Sequence, residues 1–200
     1  HGKYILGPEV LELEERLIDY TGANYCITCA NGTDALELSL KSLDLKHNDE
    51  VITVSHTSPA TITAILNSGL KPVLIDIDKD SYNIDLNKIK NKINTKTKAI
   101  VLVHLYGLSI DIEKLLSLKK LNNLKIIEDC SQAHGSTFNK KKVGSFGTLG
   151  SFSFYPTKNI GAIGDAGAIT TNSKKLFNKL IMLREYGWDK NKESKFLGRN

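Results

Sequence analysis

Lys158 closes the run Ser151-Phe-Ser-Phe-Tyr-Pro-Thr-Lys158, just after the proline that breaks an apolar strand pattern. Alternation along that strand puts Ser151 and Ser153 on one face and Phe152 and Phe154 on the other. A lysine at such a point can be partly desolvated, which lowers its pKa and frees the amine as a nucleophile. A lone lysine there is more often a surface residue. In Lys125-Ile-Ile-Glu-Asp129, the same alternation sends Glu128 and Asp129 to opposite sides. An acid at the end of a buried strand needs a positive partner or solvent. A protonated ring nitrogen would be one such partner, and a helix cap or loop anchor is the plainer role.

Asn31-Gly32-Thr33-Asp34 lies between a strand-like run and a helical one. A glycine there lets the backbone approach an anion, helix-start N–H groups point toward it, and Thr33 adds a hydroxyl. The same residues suit an ordinary turn and helix cap. Asn159-Ile-Gly-Ala-Ile-Gly-Asp-Ala-Gly167 is glycine-rich but leads into a strand. A dinucleotide fingerprint follows a strand and opens a helix, so that reading is rejected.

The elements that must position these groups alternate. Strand-like runs fall at Tyr25–Ala30, Val51–Ser55, Pro72–Ile77, Ala99–His104, Lys125–Asp129, Leu149–Phe154 and Ala166–Thr170. Several are continuous β-branched runs, as expected of strands covered on both faces. Helical patterns occupy Pro8–Tyr20, Thr33–Leu45, Asp111–Leu121 and Ser173–Tyr186, with Leu36, Leu40 and Leu43 on one face of the second. This order predicts an α/β domain with a mostly parallel seven-stranded sheet sandwiched by helices. Ligands on such sheets bind at the carboxyl ends of the strands, where all four polar groups fall.

The 200 residues suit one domain with a real core. Net charge is only +5 with scattered lysines, which argues against a nucleic-acid partner and suits a phosphorylated small substrate. No apolar run reaches the roughly 18 residues of a membrane helix. Cys26 and Cys29 form a C-x-x-C, but no second ligand pair stands at metal spacing. Both read as small buried hydrophobes, no metal site is expected, and three free thiols point to a reducing, cytoplasmic compartment.

Taken together, GKYILGPEVLELEERL, CANGTDALELSL, SHTSPATITAILNSGLKPVLIDID, VHLYG, IIEDCSQAHGS and SFSFYPTKNIGAIGDAGAI resemble the DegT/DnrJ/EryC1/StrS sugar aminotransferases. They occur in that family's order and cover nearly the whole chain. The resemblance implies the large domain of the type I aminotransferase fold and pyridoxal 5'-phosphate as cofactor. It makes Lys158 the Schiff-base lysine and proton shuttle, and Asp129 the carboxylate on the pyridinium nitrogen. Gln132 then lies beside the ring oxygen, Gly32, Thr33 and Asp34 form the phosphate turn, and Ser153 holds the same phosphate.

Three departures accompany it. Ser58 stands where many members carry an aromatic that stacks on the ring, a contact His56 is a candidate to supply. Gly198-Arg-Asn200 resembles the opening of the family's G-x-N-x-R segment, whose asparagine reaches a neighbour's cofactor phosphate in a homodimer. The segment before residue 1 and the small domain after residue 200 are absent, so residues 1–200 are expected to be a fragment, the cofactor-binding large domain. The implied activity moves an amino group from glutamate to a nucleotide-linked keto-deoxysugar, with Arg184-Glu-Tyr-Gly-Trp188 favouring dTDP-3-keto-6-deoxyhexoses, in amino-sugar and surface polysaccharide synthesis. The alternatives are a sugar dehydratase of the same family, where histidine replaces the lysine, and an inactive cofactor-binding fragment.

Overall fold

The β-branched runs become the strands they predict. In the computed structural model, which describes residues 2–3 and 5–199 and only the backbone of 119–122, seven strands form one sheet. They are β1 (Tyr25–Cys29), β2 (Glu50–Val54), β3 (Lys71–Ile75), β4 (Thr97–Val103), β5 (Lys125–Asp129), β8 (Leu149–Ser153) and β9 (Gly167–Thr171). Their order is β1-β9-β8-β5-β4-β2-β3. Pairing is parallel except at β9, which runs antiparallel to both β1 and β8. The expected α/β class with a mostly parallel sheet is the one found. A separate ribbon joins β6 (Thr137–Phe138) to β7 (Lys141–Lys142).

Pro72 sits in β3, an edge strand, so its missing N–H interrupts no ladder between two neighbours. That strand stops at Ile75 rather than Ile77, and Ile77 makes only an isolated bridge to Ile84.

Helices cover both faces. On one lie α2 (Gly32–Ser42), α3 (Pro59–Asn67) and α6 (Lys174–Arg184), over a core that includes Ile27, Leu36, Val101 and Ile169. The spacing predicts one apolar face on α2, but Leu38 and Ser39 are buried as well, because α3 and α6 pack on the helix too. It ends at Ser42, short of the predicted Leu45. The short α4 (Leu86–Ile89) and α5 (Ile112–Asn122) cover a second cluster around Ile52, Ile100 and Ile126, and α1 (Pro8–Thr21) covers a third around Cys26, Cys130 and Phe152. Asp111 and Ser173 prove to be caps rather than first helical residues, accepting hydrogen bonds from Lys114 N and Leu176 N. Among the described residues, no helix is long and apolar enough to cross a membrane.

The C-x-x-C does not converge. Cys26 packs under α1 with Cys130, while Cys29 packs against the core beneath α2 and points its thiol at Asn31 O, 3.4 Å away. Burial pushes the Cys29 thiol up to about 12, so neither metal binding nor thiolate chemistry is favoured there.

Candidate active site

The carboxyl ends of β1, β5 and β8 open on one cavity of about 500 Å³. At the end of β1, Asn31 caps α2, its Oδ1 accepting from Asp34 N at 2.8 Å. The cap reading of this turn is therefore correct, yet it leaves room for the other. The N–H groups of Gly32 and Thr33, in the first turn of α2, have no partner among the described residues. Gly32 packs directly on Ser153, where a Cβ would stand 2.5 Å from the serine Cβ. Beneath them Gly167, the first residue of β9, lies so close to Asn31 that a Cβ would meet its carbonyl oxygen at 2.3 Å. The two glycines let helix start and strand ends close into one cradle of backbone N–H groups and the Ser153 hydroxyl.

Asp34 also lines the cavity, but its N–H is committed to Asn31, and burial raises its carboxyl pKa against the pull of the Arg199 charge. It is the least suited of the turn residues to an anion. Ser151 and Ser153 share a face as alternation predicts, yet only Ser153 reaches the cavity. Ser151 Oγ lies 3.1 Å from Ser39 Oγ, inside the core.

At the end of β5 the two acids separate as predicted. Glu128 is fully buried on the face away from the cavity and accepts N–H groups from Gly144, Phe146 and Gly147 at 2.7 to 2.9 Å. His104 Nδ1 accepts from Ile110 N at 3.2 Å, so the proton sits on Nε2 and is donated to Glu128, 3.1 Å away. Burial alone would raise the Glu128 pKa, but the bonds from His104, Gly144 and Gly147 outweigh it and hold the carboxyl below its ordinary value. His104, Glu128 and Cys130 lie close enough to chelate, but the first two are spent on one another and on the backbone.

Asp129 faces the cavity instead. Its Oδ1 accepts from Ser131 N at 3.1 Å and its Oδ2 from Thr61 Oγ1 at 3.3 Å, while Thr57 Oγ1 backs Thr61 at 2.9 Å. Thr61 spends its proton on Asp129, so Thr57 is the donor to Thr61. Both threonines lie at or within α3, a helix the sequence reading missed, and neither was singled out. Their signal was the four-residue spacing behind the Ser58-Pro59 start.

Lys158 hangs from the loop after β8, its N–H donating to Tyr155 O at 2.8 Å. Its side chain is half-buried, lines the cavity, and makes no hydrogen bond or ion pair among the described residues. Gln132 lines the cavity too, with Oε1 accepting from Tyr106 N at 2.9 Å. Asp165 joins the lining without having been read from the sequence.

Ser58 caps α3 and borders the cavity, its Oγ accepting from Ala60 N. His56 is exposed, outside the cavity lining, with Nε2 3.1 Å from Tyr106 Oη. Asn200 lies outside the described residues. Its neighbour Arg199 is anchored on the buried Glu37 of α2 by two contacts of 2.6 and 2.7 Å.

Comparisons with known proteins agree with this geometry. The chain is 52% identical over 199 residues to the dTDP-3-amino-3,6-dideoxy-alpha-D-galactopyranose transaminase of Aneurinibacillus thermoaerophilus, covering 100% of this chain and 55% of that protein. It superposes on DesV of S. venezuelae, solved with a ketimine intermediate, with a TM-score of 0.95 and 36% identity, over 100% of this chain and 54% of that one. The E coli GDP-4-keto-6-deoxy-D-mannose-3-dehydratase, solved with hydrated PLP, matches with a TM-score of 0.88 and 28% identity, over 93% of this chain and 49% of that one. The chain thus spans about half the length of the curated relatives it matches. A model of the DegT/DnrJ/EryC1/StrS aminotransferase family matches residues 1–200, and the chain belongs to that family.

Proposed function

We propose that residues 1–200 form the cofactor-binding large domain of a pyridoxal-phosphate-dependent aminotransferase acting on a nucleotide-linked keto-deoxysugar. One observation carries the reading. An amine with no partner among the described residues, Lys158, shares a cavity with a strand-end carboxylate, Asp129, and with free helix-start N–H groups at Gly32 and Thr33. The residues present fit pyridoxal phosphate, because the close Gly32–Ser153 packing brings the free helix-start N–H groups beside the Ser153 hydroxyl in the cavity that also holds Lys158 and Asp129. When bound, that cofactor supplies an electron sink for negative charge developing at a substrate carbon.

The chain's own groups divide the work. Gly32 N, Thr33 N and Ser153 Oγ bind the phosphate at a helix start. Asp129, steadied by Thr61 and Ser131 N, would hold a proton on the ring nitrogen. Gln132, which lines the cavity, would lie beside the ring oxygen. Lys158 Nζ would hold the cofactor as its nucleophilic amine and, when free, would serve as the general acid–base that moves protons in the cavity. One residue serves both half-reactions, since the second retraces the first. A lysine at this place also disfavours the dehydratase reading, which calls for histidine.

Glutamate as donor, a dTDP-3-keto-6-deoxyhexose as acceptor and a cytoplasmic location complete the proposal. The acceptor is supported by the name of the 52% identical relative. A homodimer in which Asn200 reaches the partner subunit's phosphate is supported only by the likeness of Gly198-Arg-Asn200 to the family's G-x-N-x-R segment. The test offers the complete polypeptide a panel of dTDP-, UDP- and GDP-keto-sugars with glutamate. Amine transfer to a dTDP-3-keto-sugar is expected, and no transfer to any of them would overturn the reading.

A further inference from the structure

Gln132 enters the cavity with one end of its amide already committed. A backbone N–H can donate only to the oxygen of an amide, and Tyr106 N lies 2.9 Å from Gln132 Oε1. The contact therefore selects one of the two amide orientations and leaves the NH2 group as the unspent end, on a side chain that lines the cavity.

That N–H is where it is because Tyr106 has a left-handed backbone, φ 54° and ψ 21°. Bulky residues seldom enter this region, and they stay there only when their surroundings over-determine it. Here the neighbours are pinned on every side. Leu105 N donates to Asn83 Oδ1 and Asn83 Nδ2 donates to Leu108 O, each at 3.0 Å. Ser136 Oγ donates to Gly107 O, and Tyr106 Oη lies 3.1 Å from His56 Nε2. Yet the Tyr106 side chain is 67% exposed and adds nothing to the core. Packing does not explain a bulky residue held in this conformation, whereas the direction of its N–H does.

We propose that Tyr106 is a positioning residue for Gln132: its left-handed backbone turns the N–H onto Gln132 Oε1, so that Gln132 meets the bound ring as a hydrogen-bond donor. This rests on the pyridoxal phosphate reading above. A donor at the ring oxygen stabilises the oxygen as an anion and lowers its hold on a proton, whereas a flipped amide would present a carbonyl and do the reverse.

The test follows the pH midpoint of the visible absorbance band of the lysine-linked cofactor, together with cofactor affinity. In Gln132→Leu the midpoint is expected to rise by about one to two units and affinity to fall about tenfold. Tyr106→Gly keeps the N–H and suits the left-handed backbone, so it should titrate as wild type. Tyr106→Val, β-branched, should leave that conformation, raise the midpoint as Gln132→Leu does, and add nothing in the Gln132→Leu background. A wild-type midpoint in Tyr106→Val, or additive shifts in the double variant, would overturn the assignment. Should Tyr106→Val fail to fold, Gln132→Glu decides. Its carboxylate accepts the same N–H but offers no donor, so an unchanged midpoint there is equally fatal. Wild-type protein that takes up no pyridoxal phosphate would instead remove the underlying reading, and this role with it.

Discussion

Gly32 and Ser153 are in contact across the junction of α2 and β8, so close that a Cβ on the glycine would stand 2.5 Å from that of the serine. Gly32→Ala must push the helix start off the strand, at a cost of about 1–3 kcal/mol, and move the free N–H groups with it. Thermal melts should show the loss, and phosphate-bearing cofactor should bind more weakly. Removing the opposing Cβ in Gly32→Ala/Ser153→Gly should restore most of the stability. A single alanine variant as stable and as tight-binding as wild type would show that the contact has slack.

Lys158 has no ion-pair partner among the described residues, so Lys158→Ala should leave stability within about 0.5 kcal/mol of wild type. The variant should form no borohydride-reducible link to pyridoxal phosphate. In wild type, peptide mapping after reduction should find the pyridoxyl group on Lys158. A label on any other lysine would end the assignment.

Asp129→Asn keeps its one oxygen for Ser131 N and turns its NH2 toward Thr61 Oγ1, which can accept it, so the fold and cofactor binding should survive. Turnover should drop by on the order of 10²-fold or more, because the ring nitrogen loses its proton and its pull on electrons. Steady-state rates beside a cofactor titration separate the two effects. Near wild-type turnover would leave Asp129 with an anchoring role only.

His134 is 9% exposed between the rings of Phe152 and Phe154, with the Ser153 backbone near its ring but no hydrogen bond of good geometry to either nitrogen among the described residues. Burial, and then the charge of Lys158, lowers its pKa, so the folded protein holds it neutral. The unfolded chain takes up that proton near pH 6.5, while the folded chain does so only at lower pH. The unfolded state thus binds more protons in that window, and stability falls as pH drops below about 6.5. In His134→Phe that part of the decline should vanish. Urea midpoints at pH 5, 6, 7 and 8 test it, and an unchanged pH slope in the variant would show that His134 is not its source.

The strands were legible because β-branched runs mark them: AIVLV, apolar on both faces, becomes the central strand β4, while VLIDI reads the same way yet becomes the edge strand β3, with Leu74 exposed. That Asp129, Lys158, Ser153 and Gln132 line one cavity was expected from the family resemblance, whereas strand alternation alone left plainer roles open for Asp129 and Lys158. The helix α3 was not legible. Pro59–Asn67 holds Thr61, Ile62, Thr63 and Ile65, residues of strand character, and the Ser58 cap, the Pro59 start and packing on α2 together make it helical. With α3 went Thr57 and Thr61, the two hydroxyls that steady Asp129. The left-handed Tyr106 was equally hidden, because the cause of its conformation lies in Asn83, Ser136 and His56, all remote in sequence.

The one reversed strand has a geometric consequence for Lys158. Had β9 run parallel to β8, the chain would have had to cross the sheet and return from the far end, usually through a helix. Antiparallel, it turns back at the edge where it left, with Ser153 opposite Gly167. Residues 154–166 are therefore a hairpin loop with both feet on the cavity rim, drawn together by Phe154 N on Ala166 O and by Ala162 N on Phe154 O. Both ends of the loop that carries Lys158 are thus fixed at the cavity rim, so the fold of one strand decides where the amine stands.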